Sequence, residues 1–300
     1  MKRILKWLGI LLGTVLILAG GFVVFEVMAF NSSVAKRYDV PLPKVQRSTD
    51  PAVLARGKHL AESIGACATS DCHGPDLTGG KLMEMGPLGT FQSPNITMGG
   101  RGAQYSDDEI ARLVLHGVKR DGTSVLFMSA SEINWLPDDD LAAIISYVRS
   151  VPASNKTTHP NELGVLAKVL DRLDKIPLDQ ARRIDHEHRK AAPAPEPTAN
   201  YGRFIGQMCQ GCHGETYSGG PIPGAPPSLP VPRNITPDET GIKAYTFADF
   251  NKLLDTGVRQ NGQKLDPFMP YEALSHMNDV ERQALWAFLQ TLPPRKFGGR

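Results

Sequence analysis

Four cysteines and two histidines carry the chemistry of this 300-residue chain. The C-terminal group reads Cys209-Gln210-Gly211-Cys212-His213, the C-x-x-C-H pattern of covalent haem attachment. The N-terminal group reads Cys67-Ala68-Thr69-Ser70-Asp71-Cys72-His73, with four residues between the cysteines instead of two. Each thiol of such a pair adds to a haem vinyl group, and two thioethers a short loop apart pin one edge of the porphyrin. The histidine that follows is then delivered to the iron. The adjacency of Cys72 to His73 and of Cys212 to His213 matters more than the loop, because a longer loop can bulge and still place both sulfurs. A zinc site competes poorly, since neighbouring cysteine and histidine seldom both reach one tetrahedral ion. Two disulfides would suit an exported protein but leave both histidines unexplained.

The two groups belong to a long internal repeat. Cys72-His73-Gly74 recurs as Cys212-His213-Gly214 at an offset of 140 residues. Thr78-Gly79-Gly80 answers Ser218-Gly219-Gly220, Asn95-Ile96-Thr97 answers Asn234-Ile235-Thr236, and His116-Gly117-Val118 answers Thr256-Gly257-Val258. Phe127-Met128 answers Phe268-Met269. The period is far too long for a solenoid, so the expectation is two globular domains with two covalently bound haem c groups. The repeat also selects the sixth iron ligands. A methionine thioether is a common partner to histidine and raises the reduction potential. Of nine methionines, only Met128 and Met269 occupy matching positions, each just before a terminal helix. Met98 and His116 are the competitors in the first half, while His59 reads as structural and His186 and His188 as solvated or propionate-side residues of a charged linker.

Net charge is +2, so no basic field points to nucleic acid. Residues 51–150 carry 8 basic and 12 acidic side chains, against 10 and 9 in residues 201–300. Such an imbalance suits different docking partners, although unrelated solvated faces would produce it too. Lys2, Arg3 and Lys6 precede an uncharged stretch from Trp7 to Phe25 that is long enough to cross a bilayer. The basic flank predicts a cytoplasmic N-terminus and an exported body. An uncleaved anchor is expected; the alternative is a signal peptide cut after Val27-Met28-Ala29.

The elements that must position the motifs follow from period and capping. Asp50-Pro51 reads as the start of a helix running through Leu54, Leu60 and Ile64 to Gly65. Residues 74–102 lack a helical period and read as a loop around the haem edge. Ser106 with Glu109 forms a capping box. A terminal helix spans Leu136 to Ser150. In the second half, helices are expected from about Ala199, over Phe247–Thr256 and over Asn278–Leu292. Between the halves, Leu163, Val165, Leu166, Val169, Leu170 and Leu173 mark an amphipathic helix whose apolar face could dock on both domains. The run from Ala191 to Pro197 reads as a stiff spacer.

Helix, Cys…Cys-His, loops, methionine and terminal helix is the order of a class I cytochrome c domain, and the chain resembles a membrane-anchored dihaem cytochrome c. Pro232-Arg233-Asn234-Ile235-Thr236-Pro237-Asp238, Thr240-Gly241-Ile242 and Phe268-Met269-Pro270-Tyr271 resemble the cytochrome subunits of membrane-bound alcohol and gluconate dehydrogenases. The resemblance implies a mainly α fold with two tandem domains, 51–152 and 198–294, after an anchor (1–30) and a tether (31–50). A linker (153–197) joins the domains and a short tail (295–300) ends the chain. It implies thioethers at Cys67, Cys72, Cys209 and Cys212, with iron ligands His73, Met128, His213 and Met269. It implies an electron carrier rather than an enzyme. That carrier would sit in the bacterial cytoplasmic membrane with its haems on the periplasmic side. Its redox partners would be a dehydrogenase, a membrane respiratory complex or a terminal oxidase. Those dehydrogenase subunits usually carry three haems and this chain offers two, and the first half replaces Met-Pro-Tyr by Met128-Ser129-Ala130. The alternative is a dihaem enzyme, of peroxidase or thiosulfate dehydrogenase type, with an open haem in the first half.

Overall fold

A computed structural model describes residues 2–223, 225 and 227–300. The fold is mainly helical. Helix α1 (Lys2–Ala35) is a 34-residue apolar rod with Ile4, Trp7, Leu11, Ile17 and Phe25 facing outward. Its length exceeds the roughly 20 residues needed to cross a bilayer, and its composition fits an anchor or a signal sequence. The helix continues five residues past the expected boundary at residue 30. Its end is docked rather than free: Phe30 is buried, Ser33 donates to Asp179 at 2.5 Å, and Glu26 pairs with Arg172 at 3.6 Å.

The expected tether is stitched to the body as well. Pro41 and Pro43 keep it extended and cannot donate. The neighbouring donors find partners on the first turn of a helix, where Asp108 accepts from Val45 N–H at 2.9 Å and Asp107 pairs with Arg47 at 2.7 Å.

Each half is then built on a helix pair. In the first, α2 (Pro51–Glu62) starts at Asp50, whose carboxylate accepts from Ala52 N–H at 2.7 Å. The helices α3 (Asp107–His116), α4 (Ala130–Ile133) and α5 (Asp138–Ser150) follow. The linker contributes α6 (Val165–Arg172). The second half holds α7 (Ala199–Gly206), α8 (Gln210–His213), α9 (Phe247–Thr256), α10 (Tyr271–Ser275) and α11 (Asp279–Thr291). Capping boxes start α3, α9 and α11, and Gly117 and Gly257 end α3 and α9 in the left-handed conformation.

Glycine lets the paired helices touch backbone to backbone. A Cβ on Gly57 of α2 would lie 2.0 Å from the Ala143 carbonyl oxygen of α5. On Gly202 of α7 it would lie 1.9 Å from the Ala284 oxygen of α11. Tyr147 and Phe288 close the same crossings. One continuous core joins the halves, with Leu60, Ile64, Trp135 and Ile145 on one side and Tyr201, Ile205, Leu285 and Phe288 on the other.

Two further features depart from the sequence expectations. The loop after the first motif contains strands β1 (Met83–Glu84) and β2 (Gly89–Phe91), and the linker adds β3 (Glu162–Leu163). They form an antiparallel sheet with registers Met83↔Phe91 and Gly89↔Leu163. Secondly, α6 does not bridge the two halves. Leu163, Leu166 and Leu170 pack in a separate core with Phe30, Leu88, Phe91 and Leu178. The apolar end of α1 needs a cover where it joins the body, and α6 supplies it.

Candidate functional site

The second motif grows directly out of α7. A 3-10 turn (Gln207–Cys209) leads into α8, so Cys209 and Cys212 are three residues apart on consecutive turns and share a face. His213 ends α8 and is buried. Its Nδ1 donates to the Arg233 carbonyl at 2.6 Å, so the Nε2 lone pair is the one left for a metal. Against the hydrogen bond to Arg233, burial holds the ring below its ordinary pKa and so favours the neutral form that metal binding requires. Burial also pushes the Cys209 thiol up to about 12 and the Cys212 thiol up to about 11. These sulfurs sit in surroundings that suit an uncharged thioether better than a thiolate.

The carbonyl that orients His213 is itself held. Asn234 Oδ1 accepts from Thr236 N–H at 2.9 Å and from the Thr236 hydroxyl at 2.8 Å. Asn234 Nδ2 donates to the Arg295 carbonyl at 2.6 Å, tying the loop to the chain after α11. The expected tail returns to this site too: Arg300 donates to the Cys212 carbonyl at 2.8 Å and the Gly220 carbonyl at 3.1 Å.

The first motif reaches a similar end by a different route. Residues 67–73 form turns rather than helix, beginning at Ala66 with φ 51°. The extra residues fold inward, with His73 N–H donating to the Cys67 carbonyl at 3.0 Å and Gly74 N–H to the Thr69 carbonyl at 2.8 Å. His73 Nδ1 then donates to the Pro94 carbonyl at 2.8 Å. Burial lowers its pKa as well, and the Cys67 thiol rises to about 12 for the same reason. Asn95 repeats the clamp, accepting from Thr97 N–H at 3.0 Å and its hydroxyl at 2.8 Å while donating to the Ser154 carbonyl at 2.6 Å. Pro94 and Arg233 were not singled out from sequence; the repeated Asn-Ile-Thr beside each was the available signal.

Met128 and Met269 are partly buried against the same core as Cys67 and Cys209. An equivalent tight turn follows each. Ala130 N–H donates to the Met128 carbonyl and Tyr271 N–H to the Met269 carbonyl, both at 2.7 Å. The central residues Ser129 (−71°, 51°) and Pro270 (−77°, 51°) nearly coincide. Met98 is exposed, and its sulfur accepts from Arg149 at 2.8 Å. His116 lies with its Nδ1 3.3 Å from Nδ1 of His186, which is half-buried rather than solvated. His59 is structural in an unexpected sense: its Nε2 sits 2.9 Å from the carboxylate of Glu281, a buried residue of the other half.

All four cysteines are unpaired, so neither predicted pair is a disulfide. Among the described residues, no group of three or more His, Cys, Asp or Glu side chains is arranged to hold a bare metal ion. Paired thiols, a neutral imidazole with a free nitrogen and a buried setting fit haem c.

Residues 201–293 match the family model for cytochrome c. The chain is 38% identical over 94 residues to the cytochrome c subunit of a quinone alcohol dehydrogenase from Gluconacetobacter polyoxogenes, covering 29% of this chain and 20% of that protein. It is 35% identical over 105 residues to the corresponding subunit from Gluconobacter oxydans, 33% of this chain and 22% of that one. The gluconate 2-dehydrogenase cytochrome c subunit of Pantoea cypripedii is 38% identical over 85 residues, 27% of this chain and 19% of that protein. The chain thus spans about a fifth of the length of the curated relatives it matches. Such a domain implies at least one covalent haem c, at Cys209 and Cys212, and electron transfer as its use. Residues 201–293 are a cytochrome c domain related to the cytochrome c subunits of alcohol and gluconate dehydrogenases.

Proposed function

We propose that the chain is a membrane-anchored dihaem cytochrome c that relays electrons between a dehydrogenase or membrane respiratory complex and an acceptor on the periplasmic side. The observation that carries the second haem is the histidine device found in both halves: a ring whose Nδ1 donates to the carbonyl just before Asn-Ile-Thr, with Asn and Thr locking that loop. Residues 51–152 and 198–294 are then the two haem domains. Cys67 and Cys72 hold one haem and Cys209 and Cys212 the other, with iron ligands His73 and Met128, and His213 and Met269. Bound haem supplies one-electron iron chemistry, tuned by axial ligands, hydrogen bonds and burial. The Pro94 and Arg233 carbonyls orient the imidazoles, and the tight turns after Met128 and Met269 fix where each thioether enters the core. The helix α1 acts as an anchor, a reading supported by the Glu26–Arg172 pair that ties it to the body. The relatives' names support a dehydrogenase as one partner.

The test is a haem count per chain, joined to a redox-titrated optical spectrum. Two low-spin haems, an intact methionine-sulfur-to-iron band in the oxidised form and no carbon monoxide binding are expected. One haem per chain, or ready carbon monoxide binding, overturns the relay as stated; the latter turns the first half into an open enzymatic site.

A further inference from the structure

The second motif meets the first half at α4, and the acidic side chain of Glu132 stands at that contact. The helix α4 follows Met128 and packs against the 3-10 turn that carries Cys209. On it, Glu132 lies against Gly211, the residue in the middle of the second motif: a Cβ on Gly211 would sit 2.9 Å from Glu132 Oε1. The Trp135 indole donates to the Glu132 carbonyl at 2.6 Å and packs edge-on to Phe204 of α7, 6.3 Å between centroids, fixing the approach. No cation pairs with Glu132 among the described residues. Its field reaches Cys72 of the first motif as well as Cys209 and Cys212 of the second.

We propose that Glu132 is the charge-setting residue of the transfer step between the two haem sites: its carboxylate opposes electron arrival, and it takes up a proton from solvent when the redox partner delivers an electron. This rests on the haem-attachment reading of the two motifs, and most directly on that of Cys209 and Cys212. The sign follows from electrostatics. A negative charge beside the site favours the oxidised, more positive iron, so the ionised carboxylate lowers the potential and protonation raises it. Burial pushes the Glu132 carboxyl up to about 7, with the Ser129 hydroxyl pulling the other way, so it changes charge near neutral pH.

The other groups facing this contact are Asp71, which lies beside Cys72 and whose carboxyl is also pushed up by burial, Glu272 from α10, and Tyr217, Arg203 and Arg300 from the second half. From α3 come Arg112, which donates to the Lys119 carbonyl, and His116, which meets His186. The turn Ala181–Arg183 brings Arg182 and Arg183, both engaged with Asp171 and Asp174.

The experiment is a potentiometric titration of the full-length haem-loaded chain in detergent at several pH values between 5.5 and 8.5. The midpoint of the wild type is expected to fall as pH rises; at full coupling each pH unit changes the reduction equilibrium tenfold, about 59 mV for one electron. The Glu132→Gln variant should be nearly flat and should lie above the wild type at the alkaline end, meeting it at the acid end. Glu272→Gln, which removes an exposed carboxylate of α10, should keep the slope. A Glu132→Gln chain with the wild-type slope, or a wild type without one, overturns the proposal. Infrared difference spectra on reduction give a second reading: a protonated-carboxyl band must appear in the wild type and be missing from Glu132→Gln. A haem count of one per chain would overturn the dihaem reading and with it the inter-haem role of Glu132, whereas two haems with an unaltered slope in Glu132→Gln would overturn the role of Glu132 alone.

Discussion

The two motifs present their cysteines on different backbones and orient their histidines with the same one. A 3-10 turn running into helical α8 carries Cys209 and Cys212, whereas Cys67 and Cys72 sit on a turn that folds its extra residues inward. Behind each, an imidazole donates to the carbonyl that precedes Asn-Ile-Thr, at 2.8 Å for His73 and 2.6 Å for His213. On the proposed dihaem reading, the loop between two thiols is free to vary because the sulfurs need only reach one edge of a flat ring. Each imidazole, on that reading, has to meet a single atom along one direction, which accounts for the shared support. The surroundings differ too. The Asn95 clamp closes on the linker at Ser154 and the Asn234 clamp on the tail at Arg295.

The largest effect should come from removing the histidines one at a time. His73→Ala and His213→Ala are each expected to abolish one of two low-spin haem signals and leave the other. An unchanged spectrum for His73→Ala would break the comparison at its root. Next come the helix crossings. Gly57→Ala and Gly202→Ala place a methyl against a backbone oxygen that no rotamer change can move. Each should cost about 3 kcal/mol, the upper end of overpacking, measured by chemical denaturation. Because one core spans both halves, both variants should unfold in a single transition.

The clamps should follow. Asn95→Ala and Asn234→Ala leave the buried Thr97 and Thr236 amides without their acceptor. A loss of about 2 kcal/mol is expected for each, the cost of an unsatisfied buried group. If the clamp supports the histidine, the potential of the same half should move as well, and only that half.

What the sequence disclosed is what local pattern controls. The offset near 140 residues paired two histidines that the structure holds in the same way, the capping box at Ser106 started α3 where expected, and α9 has the predicted limits Phe247–Thr256. What stayed hidden depends on partners far along the chain. Strands of two and three residues carry almost no period, and β2 finds β3 only after a separation of about 70 residues. The amphipathic stripe of α6 said that a partner exists, and only the packed structure shows it to be the end of α1. His59 read as structural, but nothing near it in sequence announces that its partner is Glu281 of the other half.

The smallest effect tests a place where the repeat itself diverges. His116 ends α3 where Thr256 ends α9. Burial, with help from His186, Arg189 and Arg112, lowers the His116 pKa from 6.5 to about 4. The folded state therefore binds its proton less readily than the unfolded chain. The penalty is absent above about pH 6.5 and grows as pH falls toward 4, so this site gives the fold an acid lability that Thr256 of the second half does not add. The side chain is partly exposed, and solvent screening brings the effect down to about 1 kcal/mol. His116→Thr installs the residue of the second half. Compared by denaturation at pH 7 and pH 4.5, the variant should lose about 1 kcal/mol less than the wild type on acidification. The remaining acid sensitivity then belongs to His186 and to carboxylates elsewhere. An equal loss in both proteins would mean that His116 protonates in the folded state as easily as in the unfolded one, and that the burial of its ring against the linker is not maintained in solution.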